Sequence, residues 1–184
     1  MTKEEARNIK DVVLEDSRLY FHNFDGKSQY HNSGDIEYGV VIDDPDFAEA
    51  LAKEGWDIRV KEYDDGNKRY YIKAKINFEP RRKKDNSLIE EFVPSVFVYV
   101  EGSESMVQIT SKEEMAMYET NPESNTRVDV VKVDCQLAAR YSEMPTPHIV
   151  AYTRHLVLTV RIIEKESNAN IRFSKFAGIK GYSD

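Results

Sequence analysis

This sequence predicts a mainly β domain: an antiparallel barrel with one short helix between strands and a second short helix in an insertion. Three observations carry that expectation. Eleven tyrosines and eight phenylalanines occur among 184 residues, and aromatic side chains favour strands and half-buried surfaces. Several segments alternate polar and apolar residues with the period of two that a strand imposes. No internal repeat and no strand–helix–strand rhythm of a parallel α/β fold is present.

The first ten residues, MTKEEARNIK, are polar and open a flexible lead-in over residues 1–17. Residues 18–24 (RLYFHNF) read as a strand ended by Asp25 and Gly26, and residues 27–35 as a polar loop containing Gly34. Residues 38–42 (YGVVI) form a nearly continuous apolar run, the signature of a buried strand. A helix follows. Asp44 serves as N-cap, Pro45 fits the first helical position, Asp46 and Glu49 favour the positive end of the dipole, and Gly55 supplies the stop. Phe47, Ala50 and Leu51 are expected on its inward face.

Residues 56–63 alternate, with Trp56, Ile58 and Val60 opposed to Asp57, Arg59 and Lys61. Asp65-Gly66 marks a tight hairpin. Residues 69–78 then alternate cleanly, placing Tyr70, Ile72, Ala74, Ile76 and Phe78 inward and Arg69, Tyr71, Lys73, Lys75 and Asn77 outward. Residues 80–85 (PRRKKD) are a basic loop, and residues 94–101 another strand. Thr110 and Ser111, followed by Glu113 and Glu114, cap a short helix reaching Tyr118, and residues 119–126 form a loop. Residues 127–137 are a strand whose valines fall in two opposed phases, Val128 and Val130 against Val131, Val133 and Cys135. After a proline-containing turn at 142–148 comes a long strand, residues 149–163, with Leu156, Leu158, Val160 and Ile162 on one side. About seven strands and two short helices fit an OB-fold-like barrel over residues 18–163, with an insertion at 80–127 and a C-terminal tail at 164–184.

Composition narrows the class. Apolar residues make up 40% and charged residues 32%, enough of the first for a sizeable core. Cys135 is the lone cysteine, so no internal disulfide framework exists, a pattern of reducing compartments; its alternating apolar flanks read as a small buried hydrophobe. The N-terminus has no apolar secretory core, and no apolar run approaches the ~18 residues of a membrane helix, so a cytoplasmic protein without a membrane partner is expected.

The net charge of −7 is unevenly distributed. Residues 57–85 carry ten basic side chains against six acidic ones, a local balance of +4 that leaves −11 for the rest. Within that segment Tyr71 lies between Arg69 and Lys73, with Lys75 beyond, on one side of one strand. The hairpin partner adds Arg59 and Lys61, and the loop Arg81, Arg82, Lys83 and Lys84 extends the positive track. Single-stranded nucleic acid offers flat bases and a phosphate chain, so a surface that holds it without reading sequence needs aromatic platforms flanked by cations. A cationic hairpin face is usually only a solvated surface whose lysines protect an edge, although such a face does not require an interleaved aromatic.

Other chemistries find weaker support. Asp43, Asp44 and Asp46 cluster as a magnesium site would, yet capping accounts for one and the first helical turn for another. His22, His31, His148 and His155 have no metal-ligand spacing with Cys135, and no glycine-rich phosphate loop occurs, so neither cofactor nor catalysis is expected.

The segments FHNFDGKSQYHNSGD (21–35), GVVIDD (39–44), EGWDIRV (54–60) and RYYIKAKINF (69–78) carry a resemblance. In them the chain resembles a family of single-stranded DNA-binding proteins of tailed phages of Gram-positive bacteria. More loosely, VDVVKVDCQL and AYTRHLVLTVRIIE look like the family's last strand pair. The resemblance implies an OB barrel that coats single-stranded DNA during phage replication or recombination in the host bacterial cytoplasm, alongside phage or host replication proteins. Residues 80–127 and the tail have no matching counterpart, and the C-terminus lacks the family's acidic run. Phe173 and Phe176 in that tail predict contact with another copy or with DNA. A structural or protein-interaction phage protein, a virion component or an inhibitor of a host factor, is the alternative.

Overall fold

The computed structural model describes residues 2–28, 34–119, 126–143 and 147–164. In chain order these form α1 (Lys3–Arg7), β1 (Val12–Ser17), β2 (Leu19–Asn23), β3 (Ile36–Ile42), α2 (Pro45–Glu54), β4 (Ile58–Glu62) and β5 (Lys68–Ile76). A 3₁₀ turn at Glu90–Phe92 precedes β6 (Ser95–Val100), β7 (Met106–Ile109), α3 (Lys112–Ala116), β8 (Thr126–Ser142) and β9 (His148–Glu164). The protein is mainly β, as expected, but its ladder is open. Hydrogen-bonded neighbours run β1-β8-β9-β5-β3-β2, and the two ends of that path are separated in sequence by Arg18 alone. One stretch of chain therefore leaves β8 and joins β3. The bend is local: Asp16 has φ of 52°, the β1–β8 register shifts between Leu14 and Ser17, and the Asp16 amide donates to Asp134 at 2.7 Å.

Two strands share one of their edges between successive partners. One edge of β5 carries β4 along residues 68–72 and then meets β9 at Ala74 and Lys75. The free edge of β9 meets β5 at Ala151 and Tyr152, then takes β6 from His155 to Val160. Both pairings with β9 are parallel, a departure from the all-antiparallel expectation that follows from the long chain excursion over residues 77–94. β8 covers the other edge of β9 throughout.

The core fills the curl of this sheet. Tyr38, Val40, Ile72, Ala74, Val98, Leu137 and Leu158 are almost wholly buried, and the Tyr38 hydroxyl bonds Thr153 Oγ1 at 2.8 Å. Tyr70 and Phe78 pack against this core while partly exposed, so the inward face of residues 69–78 is the one expected. The two valine phases of β8 are reconciled by a bulge between Val130 and Lys132. It turns Val131 outward and lets Val128 and Val130 pack on the core side with Val133 and Cys135.

α2 matches its signals. Asp44 accepts from the Asp46 and Phe47 amides, and Gly55, at φ 103°, ends the helix while the Trp56 amide donates to the Leu51 carbonyl.

Several expectations are corrected. The described part of the lead-in, residues 2–17, belongs to the fold: Thr2 and Glu5 form a capping box, Ala6 is buried, and β1 pairs with β8. Ala48 and Leu51, with Phe47 and Ala50 exposed, make the inward face of α2. Val60 is 48% exposed because β4 is an edge strand. Residues 95–115, within the stretch expected as an insertion at 80–127, are integral to the sheet and core, since β6 pairs with β9 and Val96, Val98, Ile109 and Met115 are core residues. The tail after Glu164, with Phe173 and Phe176, lies outside the described residues. Among the described residues no helix is long and apolar enough to cross a membrane.

Cys135 is buried beside Tyr38, and burial, with the nearby Asp134 charge, pushes its thiol up to about 12. The folded thiol should therefore stay protonated and unreactive toward a disulfide reagent at pH 8, reacting only on unfolding. An unfolded thiol ionises near ~8.5, so this group's contribution to stability is full below that pH and falls as pH rises toward 12. Rapid labelling of the native protein would contradict that burial.

Candidate nucleic-acid interface

β5 organises the candidate face. Its antiparallel register sets Tyr71 opposite Val41, Lys73 opposite Gly39 and Lys75 opposite Glu37 of β3, and directly opposed residues share a face. On the other edge, Arg59 lies opposite Tyr71 and Lys61 opposite Arg69. Arg59, Lys61, Arg69, Tyr71, Lys73 and Lys75 are thus brought onto one face of one sheet.

The face is less open than alternation alone implies, because β3 is buried on both sides. Glu37 is 1% exposed and points to this outer face, where Lys73 Nζ sits 2.6 Å and Lys75 Nζ 3.5 Å from its carboxylate. Lys75 also donates to Asp35 at 2.7 Å. Burial alone would depress the Lys75 ammonium, but the Asp35 hydrogen bond and charge outweigh it and hold its pKa above the ordinary value. These four side chains carry two positive and two negative charges. Lys73 and Lys75, expected as free phosphate contacts, are instead the counterions of a buried carboxylate.

Tyr71 has company that the linear pattern did not predict. Tyr20 of β2 stacks on it with ring centres 4.3 Å apart and planes at 27°, and Phe21 meets it edge-on at 6.2 Å. Gly39 makes room for this cluster. A Cβ there would approach a Phe21 ring carbon to 2.6 Å, which no side chain tolerates without displacing the ring. At the hairpin, the Arg69 guanidinium lies over the Tyr63 ring, 5.4 Å from its centre. Desolvation and the neighbouring Tyr63 and Tyr71 hydroxyls raise the Tyr20 phenol above its ordinary pKa, while Arg69 opposes the shift. Two signals in the sequence foreshadow the cluster: adjacent aromatics in RLYFHNF, and a glycine inside the apolar run YGVVI.

The remaining cations divide. Arg59 pairs with Asp57 at 3.1 Å, and Arg81 with Glu79 at 3.2 Å. Lys61, Arg69, Arg82, Lys83 and Lys84 have no carboxylate within ion-pair distance among the described residues. Arg81 and Lys83 open onto a cavity that Lys75 also lines, whereas Arg82 and Lys84 sit exposed on the loop away from it. The acidic trio near α2 is accounted for locally: Asp44 caps the helix and Asp43 pairs with Arg18 at 2.6 Å. No group of three potential metal ligands is gathered among the described residues.

The family described as "Putative phage ssDNA-binding domain" matches residues 1–161, and the chain belongs to it. A solved structure of the single-stranded DNA-binding protein from bacteriophage Enc34, C-terminal truncation, is similar at 10% identity. The match covers 81% of this chain and 84% of that one, with a TM-score of 0.46. No curated protein matches this chain.

The Glu37 arrangement makes a stability prediction. Replacing both Lys73 and Lys75 by alanine leaves a buried carboxylate without its counterions, a change that costs about 3–5 kcal/mol. Adding Glu37→Gln should recover part of that loss in urea unfolding. A double lysine variant within ~1 kcal/mol of wild type would mean that water solvates Glu37.

Proposed function

We propose that this chain binds single-stranded DNA without strong sequence preference across the β2–β3–β5–β4 face, and so protects or organises DNA during phage replication or recombination. The observation that carries this reading is the Tyr20–Tyr71–Phe21 cluster, a partly exposed aromatic platform beside Arg69 and Lys61. Every base has a π-face, so an aromatic platform is indifferent to sequence, and flanking cations take the phosphates. Tyr20 and Tyr71 are both half-exposed and support each other by stacking. A base would stack on Tyr20, and the phosphates beside it would meet Lys61 and Arg69. Family membership supports the same ligand. Proteins of phage or host replication are the natural company of such a coat.

Titration of labelled oligo-dT against duplex DNA at several salt concentrations tests the reading. Tight, salt-sensitive binding of the single strand with weak binding of duplex is the expected result. A protein that ignores oligo-dT at low salt would instead act through protein contacts. Within the binding reaction, stacking and charge separate. Tyr20→Ala should weaken oligo-dT by about 1–3 kcal/mol with the salt slope nearly unchanged. Lys61→Ala with Arg69→Ala should flatten the slope by about 1.4, two contacts at ~0.7 each. An unchanged slope in that pair would move the phosphates off this face.

A further inference from the structure

Beyond the aromatic platform the same face of the sheet continues onto β9 and β8, where it meets a cavity of about 560 Å³ roofed by the chain between β5 and β6. That volume lies within the range of small-molecule sites. Its lining contains five cationic side chains and one carboxylate, Glu91. Three of the five are already engaged: Lys75 by Asp35 and Glu37, Arg81 by Glu79, and Arg154 by Asp11. Arg140 and Lys83 have no carboxylate within ion-pair distance among the described residues.

The sheet is built to keep those charges close. Opposite Leu137 and Gln136 of β8 stand Thr153 and His155 of β9, so Arg154 is the extra residue of a bulge, the device that re-aims a side chain. Arg140 is two residues beyond the small Ala138, opposite Val150, and its guanidinium lies flat on the Phe92 ring, 3.4 Å from the centre. Burial and the neighbouring Arg154 charge hold the Arg140 guanidinium below its ordinary pKa while leaving it cationic. Arg140 lies beside the Asp11-paired Arg154 in a half-enclosed cleft, and neither Arg140 nor Lys83 at the rim has a carboxylate partner among the described residues. The small, buried Ala138 forms part of the floor, and Tyr152 supplies an aromatic wall.

We propose that this cavity is a nucleotide site, with a nucleotide phosphate held by Arg140 and Lys83 and its base accommodated over Ala138 beside Tyr152. The inference rests on the single-stranded DNA reading above and extends the strand's path from Tyr20 across the sheet. A free nucleotide presents the same phosphate, so the two sources need separate arms.

Oligo-dT titrations with Arg140→Gln and Lys83→Ala, singly and together, and competition by free dTMP provide those arms. The double variant should flatten the salt slope by about 1.4. Binding lost for oligo-dT alone gives the site a strand phosphate, and binding lost for oligo-dT and dTMP gives it any nucleotide phosphate. If the double variant retains wild-type affinity and slope while Tyr20→Ala still weakens binding, the cavity is off the path and this inference falls alone. A wild-type protein that binds no oligo-dT removes the underlying reading as well. Photo-crosslinking of wild-type protein to an oligonucleotide bearing 5-iodouracil needs no variant to fold. Adducts on Tyr152 are expected, and adducts confined to Tyr20 and Tyr71 would overturn the site.

Discussion

Strand β3 has no solvent face. In an antiparallel sheet one side usually meets water, yet all seven residues from Ile36 to Ile42 are buried, three of them, Glu37, Gly39 and Val41, on the side away from the core. Something must cover that outer side, and each covering group is dictated by the residue beneath it. Over Gly39 the space left by a missing side chain is taken by the Phe21 ring. Over Glu37 the cover must be cationic, because a buried carboxylate without a counterion is costly, and Lys73 and Lys75 reach it from the next strand. The candidate interface is therefore a second, thin packing layer on the outside of the sheet.

That layer changes how charge and aromatic groups divide their work. A lysine locked to Glu37 could release no counterion to DNA until it first gave up its partner, so it would add little to salt-dependent affinity, whereas its removal would strand a buried charge. Cations at the periphery, Lys61 and Arg69, carry no such obligation. The aromatic rings gain from the same layer. Tyr71 stacks on Tyr20, and Phe21 meets Tyr71 edge-on, which holds the ring orientations in the free protein. A platform held in this way loses little rotamer entropy on binding.

Alternation in residues 69–78 was enough to assign both faces of β5, because one strand's period of two needs no knowledge of its neighbours. The Asp44 cap, the Gly55 stop and the Asp65-Gly66 hairpin were legible for the same reason, being local chemistry. Tyr20 and Phe21 were not, since their meaning depends on pairing with β3, a dozen residues further along the chain, and on a register shift between Leu19 and Phe21. Glu37 was missed because a single acid in an apolar run gives no sign of its partners on another strand. Residues 80–127 looked like an insertion because β6 joins the sheet in parallel to a strand some sixty residues later, a pairing no local pattern announces.

The same non-local events set where the outer face begins and ends. At its start, the bend at Asp16 carries the chain from β8 to β3 and delivers Tyr20 and Phe21 onto Tyr71. At its far side, β9 parts from β5 after Tyr152 and takes up β6 at His155, and the bulge at Arg154 falls in the gap between those two partners. A strand changing partners has unpaired backbone for a residue or two, and extra chain there costs least. Both irregularities place candidate side chains where the ladder is interrupted, Tyr20 at one margin and Arg154 at the other. Lys75, opposite Tyr152 and bonded to Glu37, is the link between them. The registers of β3, β5, β9 and β8 put Tyr71, Lys75, Tyr152 and Arg140 on one face of the sheet, and the ladder need not close for that.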